Sequence, residues 1–317
     1  MTDTQNEVFK TPVNKIRLFE HGAPGSQNLK LTRKYYTEDM PDGRVKHIVQ
    51  NITDPDIVPY IPDGIGNSTD RQRIPAVLII PGGAFRRLVY NFEGEDVAKW
   101  LNSMGIAAFV LECRLPSDEH DNAEDVPLID AMRAMRVIRG RAQEFGIDEA
   151  KIGVMGFSAG GFMAALLSTA YKSDVYADYK YKDEYDKLSA RPDFAVCSYP
   201  VISIDDCIEA GKRYMSEEQV LKRISDSKAK ILHKYNPDKL VRPDMPPVFI
   251  CETDDDRTTL SENSVGFYMA ARKAGVSAEL HIFRTGGHGY GCGDDFAQTG
   301  EWKVLFTKWI KSIGIIS

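Results

Sequence analysis

A serine held between glycines is the part of this sequence that most clearly predicts chemistry. The stretch Gly156-Phe157-Ser158-Ala159-Gly160 follows a run typical of a buried strand and precedes an apolar run typical of a helix. A tight turn in that setting lifts the serine hydroxyl above the end of a sheet. The start of the helix directs backbone N–H groups at the space where an oxyanion would form. The pattern therefore predicts that Ser158 is a nucleophile and that the N–H of Ala159 stabilises negative charge.

A base for Ser158 is the second requirement, because a serine hydroxyl is by itself a weak nucleophile. His288 is the best candidate among the six histidines, since it lies in a glycine-flanked loop just past the last predicted strand. The other histidines precede the serine, lie within a predicted strand or fall in a segment outside the sheet pattern. Those that precede it do not fit the chain order serine, acid, histidine that accompanies this type of turn. The order therefore favours His288.

A carboxylate must in turn hold the histidine in one tautomer. It should follow the strand that ends near Glu252, where three adjacent aspartates are found: Asp254, Asp255 and Asp256. Position and residue type do not choose among the three, because two of them could be solvated loop charges or helix caps.

A second oxyanion donor besides Ala159 is expected from the stretch Pro81-Gly82-Gly83-Ala84-Phe85, which closes the first buried strand. Small residues allow the backbone to approach a substrate carbonyl closely. Loss of one such donor typically lowers the rate by roughly a hundred- to a thousandfold.

Strands that alternate with helices from residue 76 onward must position these groups. Apolar runs predict buried strands near 76–80, 106–111, 151–155, 194–198, 247–252 and 278–283, and helices near 94–104, 127–145, 162–167, 261–274 and 302–313. This alternation predicts an α/β fold with a mostly parallel central sheet, helices on both faces and right-handed crossovers. Shorter runs between residues 16 and 60 predict antiparallel edge strands.

Two stretches interrupt the alternation, the tyrosine-rich residues 171–191 and residues 203–242. We interpret both as cap-like insertions that follow the carboxyl ends of strands, where ligands approach an open α/β sheet. Plain surface excursions are the alternative. With 317 residues, 43% of them hydrophobic, the chain can form one large core, so we expect a single domain over residues 1–317.

Charge, cysteines and hydropathy restrict the partners and the compartment. A net charge of −6 argues against a nucleic-acid partner. The five cysteines are widely spaced without a C-x-x-C pair, and the polar residues 1–7 lack the apolar core of a secretion signal. These features, and the lack of an apolar run of membrane-spanning length, predict a cytoplasmic protein with no membrane partner. Homo-oligomerisation is left open.

Several motifs together resemble a known family. The chain resembles the α/β-hydrolase esterases at residues 81–85, 111–116, 156–161, 199–203, 235–247 and 254–264. It resembles especially the acetyl xylan esterase and feruloyl esterase-like branch, which is related to the hormone-sensitive lipase group. The resemblance extends over about residues 45–315 and implies the α/β-hydrolase fold for the chain.

The resemblance also selects site residues that the residue types left open. In that family the acid stands eight residues before the serine of a Glu-Asn-Ser segment, and the match at residues 262–264 selects Asp256. It further implies that the N–H groups of Gly83 and Ala84, besides that of Ala159, hold the oxyanion.

Five positions depart from the family pattern. Pro81 stands where the family has histidine, Ala84 replaces its third glycine, and Cys113 replaces the tyrosine of a Tyr-Arg-Leu segment. Thr259-Leu260 replaces the Val-Pro after the acid. The departures at 81 and 84 leave the oxyanion donors usable because a backbone N–H does not depend on its side chain.

Ester hydrolysis through an acyl-enzyme is the predicted reaction, with Ser158 as nucleophile, His288 as base and Asp256 orienting that base. The resemblance implies a small-molecule ester with a short acyl group, acetyl first, on a carbohydrate or small alcohol. A feruloyl or aryl esterase, a serine peptidase and a non-catalytic ligand-binding protein are the alternatives.

We expect no metal and no organic cofactor. A metal site at His288, Cys292, Asp294 and Asp295 is disfavoured because the glycine spacing lacks a regular ligand scaffold.

Overall fold

The structure is a computed structural model that describes residue 9 and residues 13–65, 73–213, 215–226, 230–293 and 298–317. Residues 1–7, which entered the expectation about the compartment, lie outside these ranges. So do Asp294 and Asp295 of the disfavoured metal site.

The strands and helices of the described residues are numbered along the chain. The strands are β1 (Ile16–Arg17), β2 (Lys34–Asp39), β3 (Val45–Gln50), β4 (Asp56–Tyr60), β5 (Ile74–Ile80), β6 (Leu88–Val89), β7 (Ala107–Glu112), β8 (Ile147–Phe157), β9 (Ala195–Ser198), β10 (Val248–Thr253) and β11 (Ala278–Phe283). The α-helices are α1 (Asp96–Ser103), α2 (Val126–Gly140), α3 (Ala142–Phe145), α4 (Ala159–Ala170), α5 (Ile204–Lys212), α6 (Glu217–Asp226), α7 (Lys230–Lys234), α8 (Ser261–Lys273) and α9 (Glu301–Ser312).

A central sheet carries the strand order β1-β4-β7-β5-β8-β9-β10-β11 within the described ranges. From β7 to β11 in that order the strands run parallel, whereas β4 pairs antiparallel with β7, and β1 with β4. Strands β2, β3 and β6 form a separate antiparallel sheet. The predicted mostly parallel sheet is confirmed, and the N-terminal strands divide between its edge and the second sheet.

Helices cover both faces of the central sheet. This explains why its strands are unbroken apolar runs in the sequence. All six residues of β7 are buried, and a strand has this pattern only when both of its faces are covered. On one side α1 and α9 meet through the rings of Trp100 and Trp302, whose centroids are 4.9 Å apart. Helices α2 and α4 contact each other. Within the described residues, no helix has both the length and the apolar character needed to cross a bilayer.

Residues 171–191 do not lie where the sequence predicted. They follow the C-terminal end of α4, a helix of 12 residues and so about 18 Å long, rather than the carboxyl end of a strand. Arg133 of α2 forms ion pairs with Asp183 and Asp186, and the hydroxyl of Tyr179 donates to the carbonyl of Gly22 at 3.0 Å. These contacts place the segment beside α2, and its interpretation as a cap-like insertion stays a prediction.

Residues 203–242 do follow the carboxyl end of a strand, β9. They contain α5, α6 and α7, where the sequence predicted one helical piece near 216–230. The long helix predicted over 127–145 is likewise divided, into α2 and α3. The role of residues 203–242 as a cap stays a prediction.

Candidate active site

Ser158 lies between β8 and α4, at the carboxyl end of the parallel strands. Its backbone has φ 54° and ψ −118°, a conformation that residues other than glycine rarely adopt. Its N–H donates to the carbonyl of Ser198 at the end of the neighbouring β9, at 3.0 Å. The neighbouring strand thus helps to hold an unfavourable backbone conformation at this position, a form of strain that is concentrated at functional sites.

Glycines at 156 and 160 make this turn sterically feasible. A Cβ added to Gly156 would lie 1.9 Å from the carbonyl oxygen of Gly160, and one added to Gly160 would lie 1.9 Å from that of Ile80. Strand, turn and helix therefore approach so closely that no side chain fits, which agrees with the sequence prediction.

His288 lies in the loop after β11 and reaches the serine. Its Nε2 is 2.8 Å from Oγ of Ser158, and its Nδ1 is 2.6 Å from Oδ2 of Asp256. By contrast, His281 lies in β11, where its Nε2 contacts Glu279 at 2.8 Å. The structure thus brings together the serine, the histidine and the aspartate that the sequence proposed.

Asp256 is 1% exposed and is fixed by the backbone that follows it. Its Oδ1 accepts hydrogen bonds from the N–H groups of Thr258 at 2.6 Å and Thr259 at 2.9 Å. These two donors leave Oδ2 directed at His288.

The two neighbouring aspartates face elsewhere. Oδ1 of Asp255 accepts from the N–H of Gly287 at 2.8 Å, so this residue supports the loop that carries His288. Asp254 is exposed. Geometry therefore distinguishes three adjacent residues of the same type, which the residues alone could not do.

Thr259 is a member of this site that the sequence did not reveal as one. Its Oγ1 lies 3.0 Å from Oδ2 of Asp256, 3.2 Å from Nδ1 of His288 and 3.2 Å from the carbonyl oxygen of Tyr199. The feature of the sequence that could have revealed Thr259 is its position three residues after the acid. At that position the sequence showed only a departure from the family pattern.

The loop that carries Gly83 and Ala84 passes close to the serine, since a Cβ added to Gly82 would lie 2.9 Å from Cβ of Ser158. Gly83 and Ala84 have φ of 139° and 57°, and Ala159 is the first residue of α4, where a helix N–H has no intrahelical acceptor. Among the described residues, none accepts a hydrogen bond from the N–H groups of these three. The N–H of Gly82, in contrast, donates to Oε2 of Glu93 at 2.8 Å. Within the described part of the chain, these three predicted donors have no acceptor, and their role in holding an oxyanion stays a prediction.

Glu93 and Tyr199 are buried polar residues next to the site that sequence reasoning missed. Glu93 is 5% exposed, and burial raises the pKa of its carboxyl group. The ring of Tyr199 packs edge-on against that of His288, with centroids 5.1 Å apart. Tyr199 entered the sequence analysis only as the first residue of the family-like stretch 199–203, and Glu93 did not enter it, because burial of a single glutamate or tyrosine leaves no periodic pattern.

A small cleft opens beside Gly82 and Ala159. Its walls are mainly apolar and include Phe85, Cys113 and Met163. A group attached to Ser158 therefore has an apolar space next to it.

The chain matches a known family model over residues 65–270, that of BD-FAE. It belongs to the BD-FAE family. This BD-FAE protein is 31% identical over 240 residues to an acetylxylan esterase of Xylanibacter ruminicola, covering 75% of this chain and 45% of that one. It is 31% identical over 227 residues to endo-1,4-beta-xylanase B of Butyrivibrio fibrisolvens, covering 71% of this chain and 34% of that one. The chain thus spans less than half the length of these curated relatives.

Among solved structures, the BD-FAE protein is similar to an acetyl ester-xyloside bifunctional hydrolase from Caldicellulosiruptor lactoaceticus. The two share 35% of their residues with a TM-score of 0.72, over 96% of this chain and 98% of that one. The predicted α/β-hydrolase fold and the resemblance to the esterase branch are therefore confirmed.

Proposed function

We propose that this protein is a serine carboxylic-ester hydrolase that acts through an acyl-enzyme. The observation that carries the proposal is the unbroken contact from Asp256 through His288 to Ser158, with distances of 2.6 and 2.8 Å. Membership of the BD-FAE family, with relatives named for esterase activity, supports it.

Acylation begins when Oγ of Ser158 attacks the ester carbonyl and its proton passes to Nε2 of His288. The electron pair of the carbonyl moves onto its oxygen, which the N–H groups of Gly83, Ala84 and Ala159 stabilise. When that pair returns, the bond to the alcohol breaks and His288 gives the alcohol its proton.

Deacylation repeats these steps with water. His288 takes a proton from the water, the hydroxide attacks the acyl group, and Ser158 leaves with the proton from His288. Asp256 holds Nδ1 of His288 protonated throughout and stabilises the imidazolium ion that forms in each half-reaction. These steps need no metal and no organic cofactor.

Short acyl groups, acetyl first, on carbohydrates or small alcohols are the proposed substrates. The relatives named as an acetylxylan esterase and an acetyl ester-xyloside hydrolase support this class. The cleft beside Ala159 supports it too, because a small space with mainly apolar walls suits a small apolar group. Feruloyl or aryl esters and peptides are the competing substrate classes.

A cytoplasmic setting is also part of the proposal. Cys113, Cys197 and Cys251 are buried thiols without a disulfide, and burial raises the pKa of each. Unreactive buried thiols are typical of proteins from reducing compartments.

The decisive experiment compares wild type with Ser158→Ala, and with Ser103→Ala, an exposed serine of α1, as the matched control. The substrates are p-nitrophenyl esters, acetylated xylo-oligosaccharides, feruloyl esters and aminoacyl arylamides. We expect acetyl esters to be turned over fastest, by wild type and Ser103→Ala only. An organophosphate should label the same two proteins with one equivalent.

Two outcomes would contradict the proposal. Folded wild type that neither turns over an ester nor reacts with the organophosphate would point to a ligand-binding protein. Faster cleavage of the arylamides than of any ester would point to a peptidase.

A further inference from the structure

Glu93 is a buried carboxylate that the proposed reaction does not use. It lies in a single π-helical turn, Asn91–Glu95, that precedes α1. The N–H of Glu95 donates to the carbonyl of Tyr90, five residues earlier, at 2.8 Å. Such widened turns are rare, and they are frequently found at functional sites.

Both carboxylate oxygens of Glu93 accept hydrogen bonds from groups near the site. Oε2 accepts from the N–H of Gly82 at 2.8 Å, and Oε1 accepts from the hydroxyl of Tyr199 at 3.0 Å. The oxygen of Tyr199 in turn accepts from the N–H of Gly291 at 3.0 Å. One buried chain of three hydrogen bonds thus runs from Gly82 to Gly291.

The two ends of this chain lie in the loops that carry the reacting groups. Gly82 immediately precedes the proposed oxyanion donors Gly83 and Ala84, and Gly291 follows His288 by three residues. The ring of Tyr199 also packs against the imidazole of His288. A shift of Glu93 would therefore move the donors and the base relative to each other.

The π-helical turn itself is in close contact with both loops. A Cβ at Gly82 would lie 2.8 Å from Oε2 of Glu93, and a Cβ at Gly291 would lie 2.7 Å from the carbonyl oxygen of Phe92. Because these approaches leave no space for a side chain, the turn acts as a rigid spacer between the loops.

We propose that Glu93 is a positioning residue that sets the separation between the oxyanion donors and His288. The inference rests on the proposed esterase function. The N–H groups act on charge that develops in the transition state, so a displaced donor lowers kcat more than it weakens substrate binding.

The test uses Glu93→Gln and Tyr199→Phe, with Glu95→Gln as the matched control. Glu95 belongs to the same turn but forms an ion pair with Lys99. For hydrolysis of p-nitrophenyl acetate we expect Glu93→Gln to lower kcat by about 10- to 100-fold, a part of the loss from removing one donor. KM and Tm should stay close to those of wild type, and Glu95→Gln should match wild type in all three.

The double variant gives a second measurement. Because Glu93 and Tyr199 belong to one hydrogen-bonded chain, the combined loss should be smaller than the product of the single losses. Tyr199→Phe keeps the inference testable if Glu93→Gln does not fold.

Three results would overturn the inference. The first is an unchanged kcat in folded Glu93→Gln. The second is a loss of kcat in the double variant that equals the product of the losses in the two single variants. The third is a loss of kcat that the fraction of unfolded protein explains. If wild type is active and the Glu93→Gln variant is equally active, this inference is wrong but the proposed esterase function stands. If wild type is inactive and does not react with the organophosphate, both the proposed esterase function and this inference are wrong.

Discussion

Oδ2 of Asp256 and Nδ1 of His288 are 2.6 Å apart, although the two residues are separated by 32 positions in the chain. The aspartate is buried, and two consecutive backbone N–H groups hold its other oxygen. A carboxylate fixed in this way determines which tautomer the histidine adopts, and so which nitrogen is free to accept a proton from Ser158.

Replacing this carboxylate by an amide should therefore abolish most of the activity. We expect Asp256→Asn to lower kcat by about 10⁴-fold, because the amide stabilises the wrong tautomer. Asp254→Asn, an exposed neighbour, should change kcat by about twofold at most. Steady-state kinetics on p-nitrophenyl acetate will measure both, and a larger loss in Asp254→Asn would move the acid role to that residue.

The hydroxyl of Thr259 should contribute less to kcat than the carboxylate of Asp256 does. Thr259→Val keeps nearly the same shape but removes the group that lies within 3.2 Å of both Asp256 and His288. One hydrogen bond is worth about 0.5–1.5 kcal/mol net, so we expect kcat to fall by about two- to tenfold. Thr258→Val is the control, because Thr258 contacts Asp256 through its backbone N–H. Equal activities for both variants and wild type would show that the hydroxyl is not needed.

Cys113 should influence which acyl groups the protein accepts, because it lines the cleft beside Ala159. Cys113→Tyr introduces the residue that the resembled family has here and should fill part of this space. We expect the ratio of kcat/KM for p-nitrophenyl butyrate to that for the acetate to fall by about tenfold, an effect of 1–3 kcal/mol for a methylene that no longer fits. Cys113→Ala leaves the cleft open and should keep the wild-type ratio. An unchanged ratio in a folded Cys113→Tyr variant would place the acyl group elsewhere.

Glu252 should make the stability of the protein depend on pH. It is fully buried, and the pKa of its carboxyl group is raised well above the usual value, first by burial and then by the charge of Asp256. The folded protein therefore binds this proton more tightly than the unfolded chain does. The resulting stabilisation is complete below the unfolded pKa of about 4.3 and is lost as the pH rises through the folded pKa.

The neutral variant Glu252→Gln should escape this loss. We expect its Tm to rise relative to that of wild type as the pH increases from about 4.3 towards neutrality. Thermal denaturation over this range will measure the difference, with the exposed Glu20→Gln as control. A constant difference in Tm across the range would contradict a raised pKa.

Local patterns in the sequence were enough to predict much of the fold. Strands such as β5 and β7 are buried on both faces, so their unbroken apolar runs identify them directly. The glycines around Ser158 identify the turn because no other residue fits there. These features depend on neighbours in the chain or on a burial pattern that repeats along it.

The position of residues 171–191 was not predictable in the same way. The sequence placed the segment after the carboxyl end of a strand, but it follows α4, and Arg133 binds it to the side of α2. An ion pair between residues about 50 positions apart leaves no trace in the local pattern of either segment.

By itself the sequence determined the alternation of strands and helices, the serine turn and the histidine loop, because each follows from residue types that are close in the chain. Residue types left three aspartates open and the family resemblance selected Asp256, but only the tertiary structure brings its carboxylate to His288. The tertiary structure also decided which N–H groups have no acceptor among the described residues and that Glu93 joins two loops. Those relations depend on distances of about 3 Å between segments far apart in sequence, and such distances are set by packing of the whole fold.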